Sequence, residues 1–189
     1  MDLSEGNYGV SLLNDCKYGH DIHKNVIRIT LLRSPTMPDP MADLGEHQFK
    51  YSLYPHTGPW NDETQREAYL LNDPIIVYSS KIESRKLEKP IYSLNSLLTV
   101  SSPNVIIETV KHAEDGNGII VRLYESQRQR GPVQVRAGFG VAEAWRANLL
   151  EENESQLTVE NDSVLLDLKP YQIETLRLIT KNASSGKKS

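Results

Sequence analysis

Polar and chargeable side chains are densest over residues 12–21, which read Leu-Leu-Asn-Asp-Cys-Lys-Tyr-Gly-His-Asp. This stretch follows a short apolar run, so we expect a turn in which Asn14 or Asp15 accepts a backbone hydrogen bond and Gly19 adopts a positive φ. The same loop could present Asp15, Lys17 and Tyr18 to a polar ligand. An ordinary, well-formed turn is the simpler interpretation of this composition, and both stay open.

A second polar run covers residues 32–40 and contains three prolines. Proline fixes φ, so this run should hold its shape at little entropic cost, and stiff polar loops on a β scaffold often bind ligands. Further along the chain, His47 and His56 flank an alternating run. Each could hydrogen-bond a sugar or simply the backbone, and Glu46 could raise the basicity of His47.

Metal binding and nucleophilic chemistry have little support in the residue pattern. His20 and His23 are three residues apart, but zinc needs three or four converging ligands. Gly19 argues against the helix that would bring the two histidines together, so a solvated loop is favoured. Cys16 is the only cysteine, which excludes an intramolecular disulfide and a cysteine-based zinc site. Lys17 could stabilise its thiolate, yet a lone cysteine near a strand usually packs.

The elements that would position these side chains are mostly strands, because the dominant apolar period is two. One helix is predicted over residues 61–71, with Asn61 as its cap and acidic residues in the first turn. Turn residues predict hairpins at 115–118 and 160–163. The strands are predicted over residues 9–13, 26–32, 47–54, 75–78, 105–111, 119–125, 133–139, 156–159, 164–168 and 173–180.

Composition and missing motifs exclude several classes of function. The chain has 189 residues and a net charge of −4, and this mild acidity argues against nucleic-acid binding. No apolar run approaches the roughly 20 residues that span a bilayer. The acidic, polar N-terminus is unlike a signal peptide, so we expect a cytoplasmic protein. No dinucleotide-binding, Walker, Gly-x-Ser-x-Gly or His-Glu-x-x-His motif occurs, and no acid/base carboxylate pair can be assigned from sequence alone.

Several long motifs, in the same order along the chain, resemble the C-terminal β region of glycoside hydrolase family 38 α-mannosidases. More narrowly, they resemble the branch with animal cytosolic, fungal vacuolar-type and many bacterial enzymes. The resemblance covers residues 8–181. It rests on residues 9–19 (GVSLLNDCKYG), 31–35 (LLRSP), 38–39 (PD), 43–56 (DLGEHQFKYSLYPH), 100–111 (VSSPNVIIETVK), 122–125 (RLYE) and 148–151 (NLLE).

The resemblance implies an all-β fold, in which the end of a galactose-mutarotase-like supersandwich is followed by a small C-terminal β-sandwich. It places the supersandwich part at residues 1–80 and the sandwich at 91–181. A charged stretch without apolar period at 81–90 agrees with a linker between them. The Ser-, Gly- and Lys-rich tail at 182–189 is expected to be disordered.

The resemblance also implies an enzyme class, although this chain lacks its machinery. The family hydrolyses terminal α-mannosides with retention, using an aspartate nucleophile and a zinc ion that lie upstream of the matched region. No catalytic residue and no metal ligand is therefore assigned here, and zinc is implied only for the complete enzyme. We expect the chain to be inactive alone and to work with the upstream catalytic barrel on mannosides or oligosaccharides.

In related enzymes, loops of the β region help to wall the active-site cleft. We hypothesise that the polar side chains of the two loops form this wall or its interface with the barrel, and a buried polar network between domains is the equally plausible alternative. The candidates are Asn14, Asp15, Lys17, Tyr18, Arg33, Asp39, Asp43, Glu46 and His47.

Two other functions stay open on the sequence. The chain could be a freestanding carbohydrate-binding β module, or a subunit-assembly element that forms a homo-oligomer. We expect no nucleic-acid or membrane partner, and a cytoplasmic location, or a vacuolar one in a fungus. Linkage preference, metal identity and oligomeric state are not fixed by the sequence. If residues 8–80 lack their sheet neighbours, their strand edges and one apolar face should be exposed.

Overall fold

A computed structural model describes residues 1–77 and 96–181. The chain divides into two compact units, Met1–Glu83 and Ser84–Ser189. All strand pairs in the described ranges are antiparallel, and one helix accompanies them, so the predicted all-β class is confirmed. The predicted linker at 81–90 and the tail at 182–189 lie outside the described residues. The domain boundaries therefore stay predictions.

The N-terminal unit holds a three-stranded sheet, a separate two-stranded hairpin and helix α1 (Asp62–Asn72). The sheet has the order β1-β2-β5, and the hairpin pairs β3 with β4. Their bounds are Asp2–Glu5 (β1), Tyr8–Asn14 (β2), His20–His23 (β3), Val26–Ile29 (β4) and Tyr51–Thr57 (β5).

Helix α1 begins where the sequence predicts. The Asn61 side chain accepts a hydrogen bond from the backbone N–H of Thr64, and the Thr64 hydroxyl accepts from the N–H of Asn61. This reciprocal pair satisfies two donors that would otherwise be orphaned at the helix start. Asp62 and Glu63 fill the first turn, where the helix dipole favours negative charge. The helix packs against β2.

The C-terminal unit is a β-sandwich of a five-stranded and a four-stranded sheet. The sheet orders are β11-β10-β14-β8-β7 and β12-β13-β9-β6. The strands are Leu98–Val100 (β6), Val105–His112 (β7), Ile119–Glu125 (β8), Gly131–Ala137 (β9), Val141–Ala147 (β10), Asn153–Leu157 (β11), Val159–Glu160 (β12), Ser163–Leu168 (β13) and Ile173–Thr180 (β14).

The hydrophobic core of this unit lies between its two sheets. Leu123 and Leu176 of the five-stranded sheet are fully buried, and Val135 and Leu166 of the other sheet are at most 2% exposed. Buried inward-facing residues alternate with exposed outward-facing ones along β9 and β13, as a two-layer packing requires.

Sequence and structure agree best inside the sandwich. The bounds of β8 and β14 match the prediction, and both predicted hairpins are confirmed by the pairings of β7 with β8 and of β12 with β13. Asn161 and Asp162 take φ values of 50° and 58°, a left-handed conformation that these residues tolerate in tight hairpins.

The predicted strands differ from the structure in several places. Residues 75–77 form no strand, and Ile75 and Ile76 are exposed. Residues 47–50 lie in a loop before β5. Strands β1, β3, β6 and β10 were not predicted. At β10, two of the buried side chains, Ala144 and Ala147, are too small to give a clear apolar alternation.

Candidate functional site

The first polar loop leaves the end of β2 in a turn that its own side chains hold. The backbone N–H of Lys17 donates to Asn14 Oδ1 at 2.6 Å. Asn14 Nδ2 lies 3.3 Å from His20 Nε2, and Asn72 donates to the Asn14 carbonyl at 3.0 Å. The predicted side-chain turn at Asn14 is therefore present. Gly19 does not take a positive φ. A larger residue would be crowded at this position, because a Cβ would lie 3.1 Å from Thr30 Cβ.

Asp15 joins this loop to the segment before β5. Its Oδ1 accepts from the backbone N–H of Lys50 at 3.0 Å, and its own N–H donates to the Lys50 carbonyl at 3.2 Å. The bond from Lys50 holds the pKa of Asp15 below its usual value, because it favours the charged carboxylate. The neighbouring Cys16 thiol is exposed rather than packed, and Asp15 raises its pKa in spite of Lys17. Cys16 is thus a poor nucleophile.

Lys17 and Tyr18 face different surroundings. The Lys17 ammonium lies 5.2 Å from the centroid of the Phe49 ring, within the range of a cation–π contact. Tyr18 is 88% exposed. Lys17 is therefore held in place, whereas the Tyr18 ring is free to meet a partner or a ligand.

The second polar loop is tied together across nine residues. The backbone N–H of Ser34 donates to Asp43 Oδ2 at 2.8 Å, and His47 Nε2 lies 2.9 Å from the Asp43 carbonyl oxygen. Asp39 accepts from the N–H of Met41 at 2.8 Å. The hydrogen bond from Ser34 to Asp43 brings residues 33–34 beside residues 43–47. The sequence gives the order of these two segments along the chain but not their contact.

The nine candidate residues thus fall into two groups. Six have a described contact that fixes them: Asn14, Asp15, Lys17, Asp39, Asp43 and His47. Three have exposed side chains that make no hydrogen bond or ion pair within residues 1–77 and 96–181: Tyr18, Arg33 and Glu46. We call all nine the loop cluster. Its fixed members can position the loops, and its free members can meet another surface.

The sequence analysis did not predict a buried polar cluster that is formed by residues of β1, β2 and β5. His56 Nε2 lies 2.7 Å from Asp2 Oδ2 and 3.2 Å from Ser11 Oγ, and Ser11 donates to the same Asp2 oxygen at 2.8 Å. The His56 side chain is 3% exposed. Burial raises the pKa of Asp2, but hydrogen bonds from Ser4, Ser11 and His56 outweigh this and hold it below its usual range.

These residue types are those of a hydrolase triad, but their geometry is not. In a triad the serine and the carboxylate bind opposite nitrogens of the histidine. Here both bind Nε2, and Nδ1 is buried without a partner among the described residues. The cluster therefore clamps β1, β2 and β5 together and does not generate a nucleophile. The register between β2 and β5 could have indicated this polar cluster, because Gly9 of β2 pairs with His56 of β5.

The C-terminal unit holds its own buried charges. Glu125 is 1% exposed and accepts hydrogen bonds from the Asn104 side chain and from the backbone N–H groups of Gln127, Gln129 and Tyr171, all at 2.8–3.0 Å. Burial raises the pKa of Glu125, but these donors lower it to about 2. This carboxylate ties three loops to one end of the sandwich.

Arg177 on β14 is a second buried charged residue of this unit, and it also joins separate loops. Its guanidinium donates to both Asp115 oxygens at 2.8 Å and to the Asn117 and Glu151 carbonyls at 2.8 and 2.6 Å. Lys111 pairs with Glu151 at 2.8 Å. These contacts hold the β7–β8 hairpin against the loop after β10, which is a structural role.

The described ranges contain neither a cluster of metal ligands nor a membrane-spanning helix. In the described ranges, no three His, Cys, Asp or Glu side chains converge as they would around a metal ion. His20 and His23 lie on strand β3 with no third ligand near them. No described helix is long and apolar enough to cross a bilayer.

Antiparallel sheets make up both units of the described chain, and this all-β fold is the class of protein that the structure defines. The model of the glycosyl hydrolases family 38 C-terminal domain matches residues 1–41, and that of the family 38 C-terminal β sandwich domain matches residues 104–176. The chain belongs to glycosyl hydrolase family 38 and corresponds to its C-terminal β region.

Full-length relatives show how small a part this is. The chain is 36% identical over 185 residues to alpha-mannosidase 2C1 of Homo sapiens, with 95% of this chain and 17% of that protein aligned. It is 33% identical to alpha-mannosidase G of Dictyostelium discoideum (95% and 17%) and 32% identical to alpha-mannosidase of Saccharomyces cerevisiae (94% and 18%). The chain thus spans less than a fifth of the length of these relatives.

Proposed function

We propose that this chain works as the C-terminal β region of an α-mannosidase and packs against the preceding part of that enzyme. Hydrolysis of terminal α-mannosides would then belong to the assembled protein, in the cytoplasm, with the nucleophile and the zinc ligands supplied from outside this chain. The relatives' names and their greater length support this proposal.

One structural observation carries the proposal. Tyr8, Tyr51 and Leu53 lie on one face of the β1-β2-β5 sheet and are 57%, 59% and 65% exposed. Helix α1 packs on β2, whose inward residues Ser11 and Leu13 share a small hollow with the helix, on the opposite face. An apolar sheet face of this kind normally needs a second layer, and the longer relatives have the chain length to provide it.

The loop cluster has two roles under this proposal. Tyr18, Arg33 and Glu46 are free to donate or accept hydrogen bonds, so they are the members that would contact a mannoside or the catalytic barrel. Asp15, Asp43 and the other fixed members would position them. A hydrogen bond to a charged group contributes about 1.5–3 kcal/mol, so losing one such contact should lower kcat/KM roughly 10- to 100-fold.

The first test is the chain alone with p-nitrophenyl α-mannoside, with and without zinc. We expect no turnover, and clear turnover would refute the dependence on an upstream region. The second test is a chimera in which residues 1–181 replace the matching region of the Dictyostelium relative. We expect the chimera to hydrolyse the substrate.

Variants of the chimera separate the two roles of the loop cluster. Arg33→Gln and Tyr18→Phe should lower kcat/KM while the midpoint of thermal unfolding stays unchanged. Glu63→Gln, at an exposed position on α1, is the matched control. A loss of stability with kcat/KM unchanged would instead favour a polar network between domains.

A further inference from the structure

A cleft at one end of the five-stranded sheet is not used by the proposed function. It has a volume of about 480 Å³, which lies within the usual range of small-molecule sites. It lies entirely in the C-terminal unit, where β10 ends and β14 begins. Its lining residues are Arg146, Ala147, Asn148, Leu149, Glu154, Gln172, Ile173, Glu174 and Thr175.

Arg146 is held so that part of its guanidinium stays available. Its Nε donates to Glu174 Oε1 at 2.7 Å, while Gln172 Nε2 donates to the other Glu174 oxygen at 2.8 Å. The Glu174 side chain is only 8% exposed, so this ion pair fixes the position of the Arg146 guanidinium. The two terminal nitrogens of Arg146 have no partner among the described residues. The pairing of β10 with β11 shifts register between Arg146 and Ala147, and such bulges re-aim side chains next to binding sites.

The remaining lining offers an acceptor and an apolar surface. The Glu154 side chain is exposed and makes no hydrogen bond or ion pair within the described parts of the chain. Leu149 and Ile173 are 68% and 63% exposed. The cleft thus combines a two-pronged donor, a free carboxylate and two aliphatic side chains.

Charge narrows the class of ligand. Arg146 contributes one positive charge, and Glu154 and Glu174 contribute two negative ones, so an anion such as phosphate would meet net repulsion. The described side chains show no metal-binding group. A neutral ligand with adjacent hydroxyl groups satisfies the arginine donors and the Glu154 acceptor together.

We propose that this cleft binds a neutral sugar, with Arg146 donating to two adjacent hydroxyl oxygens, Glu154 accepting from a third hydroxyl, and a C–H face of the ring against Ile173. The inference goes beyond the proposed function and does not rest on an upstream catalytic region. It gives the sandwich a binding role of its own.

The test is an NMR titration of the full 189-residue chain with methyl α-mannoside at up to tens of millimolar. We expect saturable shifts of the backbone amides of Ala147, Asn148 and Glu174. Arg146→Lys should weaken binding about tenfold, because lysine keeps the charge but loses the two-pronged geometry. Glu154→Ala should weaken it similarly, and Glu160→Ala on the other sheet should leave it unchanged.

Several results would overturn the proposal. These are no saturable shift at this cleft, equal shifts with glycerol at the same concentration, or shifts with inorganic phosphate but none with the mannoside. Unchanged binding by both Arg146→Lys and Glu154→Ala would do the same. Trp145 fluorescence checks that each variant is folded. Turnover by the chain alone would refute the proposed function without touching this result, so the two ideas fail separately.

Discussion

The two units of this chain bury their apolar side chains to very different extents. Within the described residues, sixteen apolar side chains are buried in 96–181, whereas two, Leu12 and Leu13, are buried in 1–77. The sandwich closes a core between its own two sheets. The three-stranded sheet has α1 on one face and leaves Tyr8, Tyr51 and Leu53 exposed on the other.

The two units therefore differ in how completely each satisfies its own hydrophobic core. A sandwich that satisfies its own core can be stable by itself, whereas a sheet whose apolar face is only partly covered is stabilised by a partner layer. In the N-terminal unit, the polar contacts of His56 with Asp2 and Ser11 join the three strands of the sheet. The chain has one tryptophan in each unit, Trp60 and Trp145, so each can be followed separately.

The largest effect is expected from truncating the sandwich core. Leu176→Ala removes a side chain with 0% exposure and should lower the free energy of unfolding by about 2–5 kcal/mol. Leu53→Ala, at a position that is 65% exposed, should change it by no more than about 0.5 kcal/mol. Urea unfolding followed by Trp145 in a Trp60→Phe background measures the first, and Trp60 in a Trp145→Phe background measures the second. Equal losses would remove the distinction between the units.

The second-largest expected effect is a pH dependence of the free energy of unfolding, confined to the sandwich. The pKa of Glu125 is lowered from 4.5 to about 2 on folding. Its stabilisation is therefore complete above pH 4.5 and is lost as pH falls towards 2. At about 1.4 kcal/mol for each pKa unit, the full contribution is about 3 kcal/mol.

Glu125→Gln tests this pH dependence. The variant should be less stable than the parent at neutral pH, and the gap should narrow as pH falls from 4.5 to 2. Glu160→Gln, an exposed carboxyl in the same unit, should follow the parent throughout. Urea unfolding at several pH values, read from Trp145, gives the result, and a gap that stays constant with pH would contradict it.

A smaller effect is expected from crowding the polar clamp of the N-terminal unit. A Cβ on Gly9 would lie 2.3 Å from His56 Cε1 and 2.6 Å from the Gly58 carbonyl oxygen. Gly9→Ala should therefore destabilise this unit by about 1–3 kcal/mol. Gly19→Ala, where the nearest atom would be 3.1 Å away, should cost less. Trp60, which lines a hollow beside Asp2 and Ser11, reports both; the reverse order would contradict the clamp geometry.

The smallest effect on stability belongs to the open sheet face. Leu53→Lys should leave the free energy of unfolding within about 0.5 kcal/mol of the parent but reduce self-association of the chain, because the exposed apolar face is shortened. Leu165→Lys, at a 68% exposed position on the sandwich, is the control. Light scattering over a dilution series compares them, and an equal reduction by both would show that this face is not special.

Local signals allowed much of the fold to be predicted from the sequence. Asn61 and the acidic turn after it predicted α1, and Asn161–Asp162 predicted a hairpin, because each depends on neighbours in the chain. Alternation predicted β8 and β14. It failed at β10, where Ala144 and Ala147 fill the buried face, and at 75–77, where β-branched residues meet no sheet.

Contacts between distant residues could not be predicted in the same way. The Asp2–Ser11–His56 clamp, the closure of Ser34 onto Asp43 and the anchoring of Arg146 by Glu174 join residues 9 to 54 positions apart. The family resemblance identified the chain as a family 38 C-terminal β region, but it did not indicate which members of the loop cluster are free. Only the described contacts separate Tyr18, Arg33 and Glu46 from the rest.

Hydrogen exchange, measured by mass spectrometry on the monomeric chain, tests the central contrast most directly. We expect the amides of β8, β13 and β14 to exchange much more slowly than those of β1, β2 and β5, because only the former lie in a closed core. Under the proposed function, addition of the corresponding upstream region of the Dictyostelium relative should then slow amide exchange in β2 and β5. Equal protection of both units in the monomer would contradict the account.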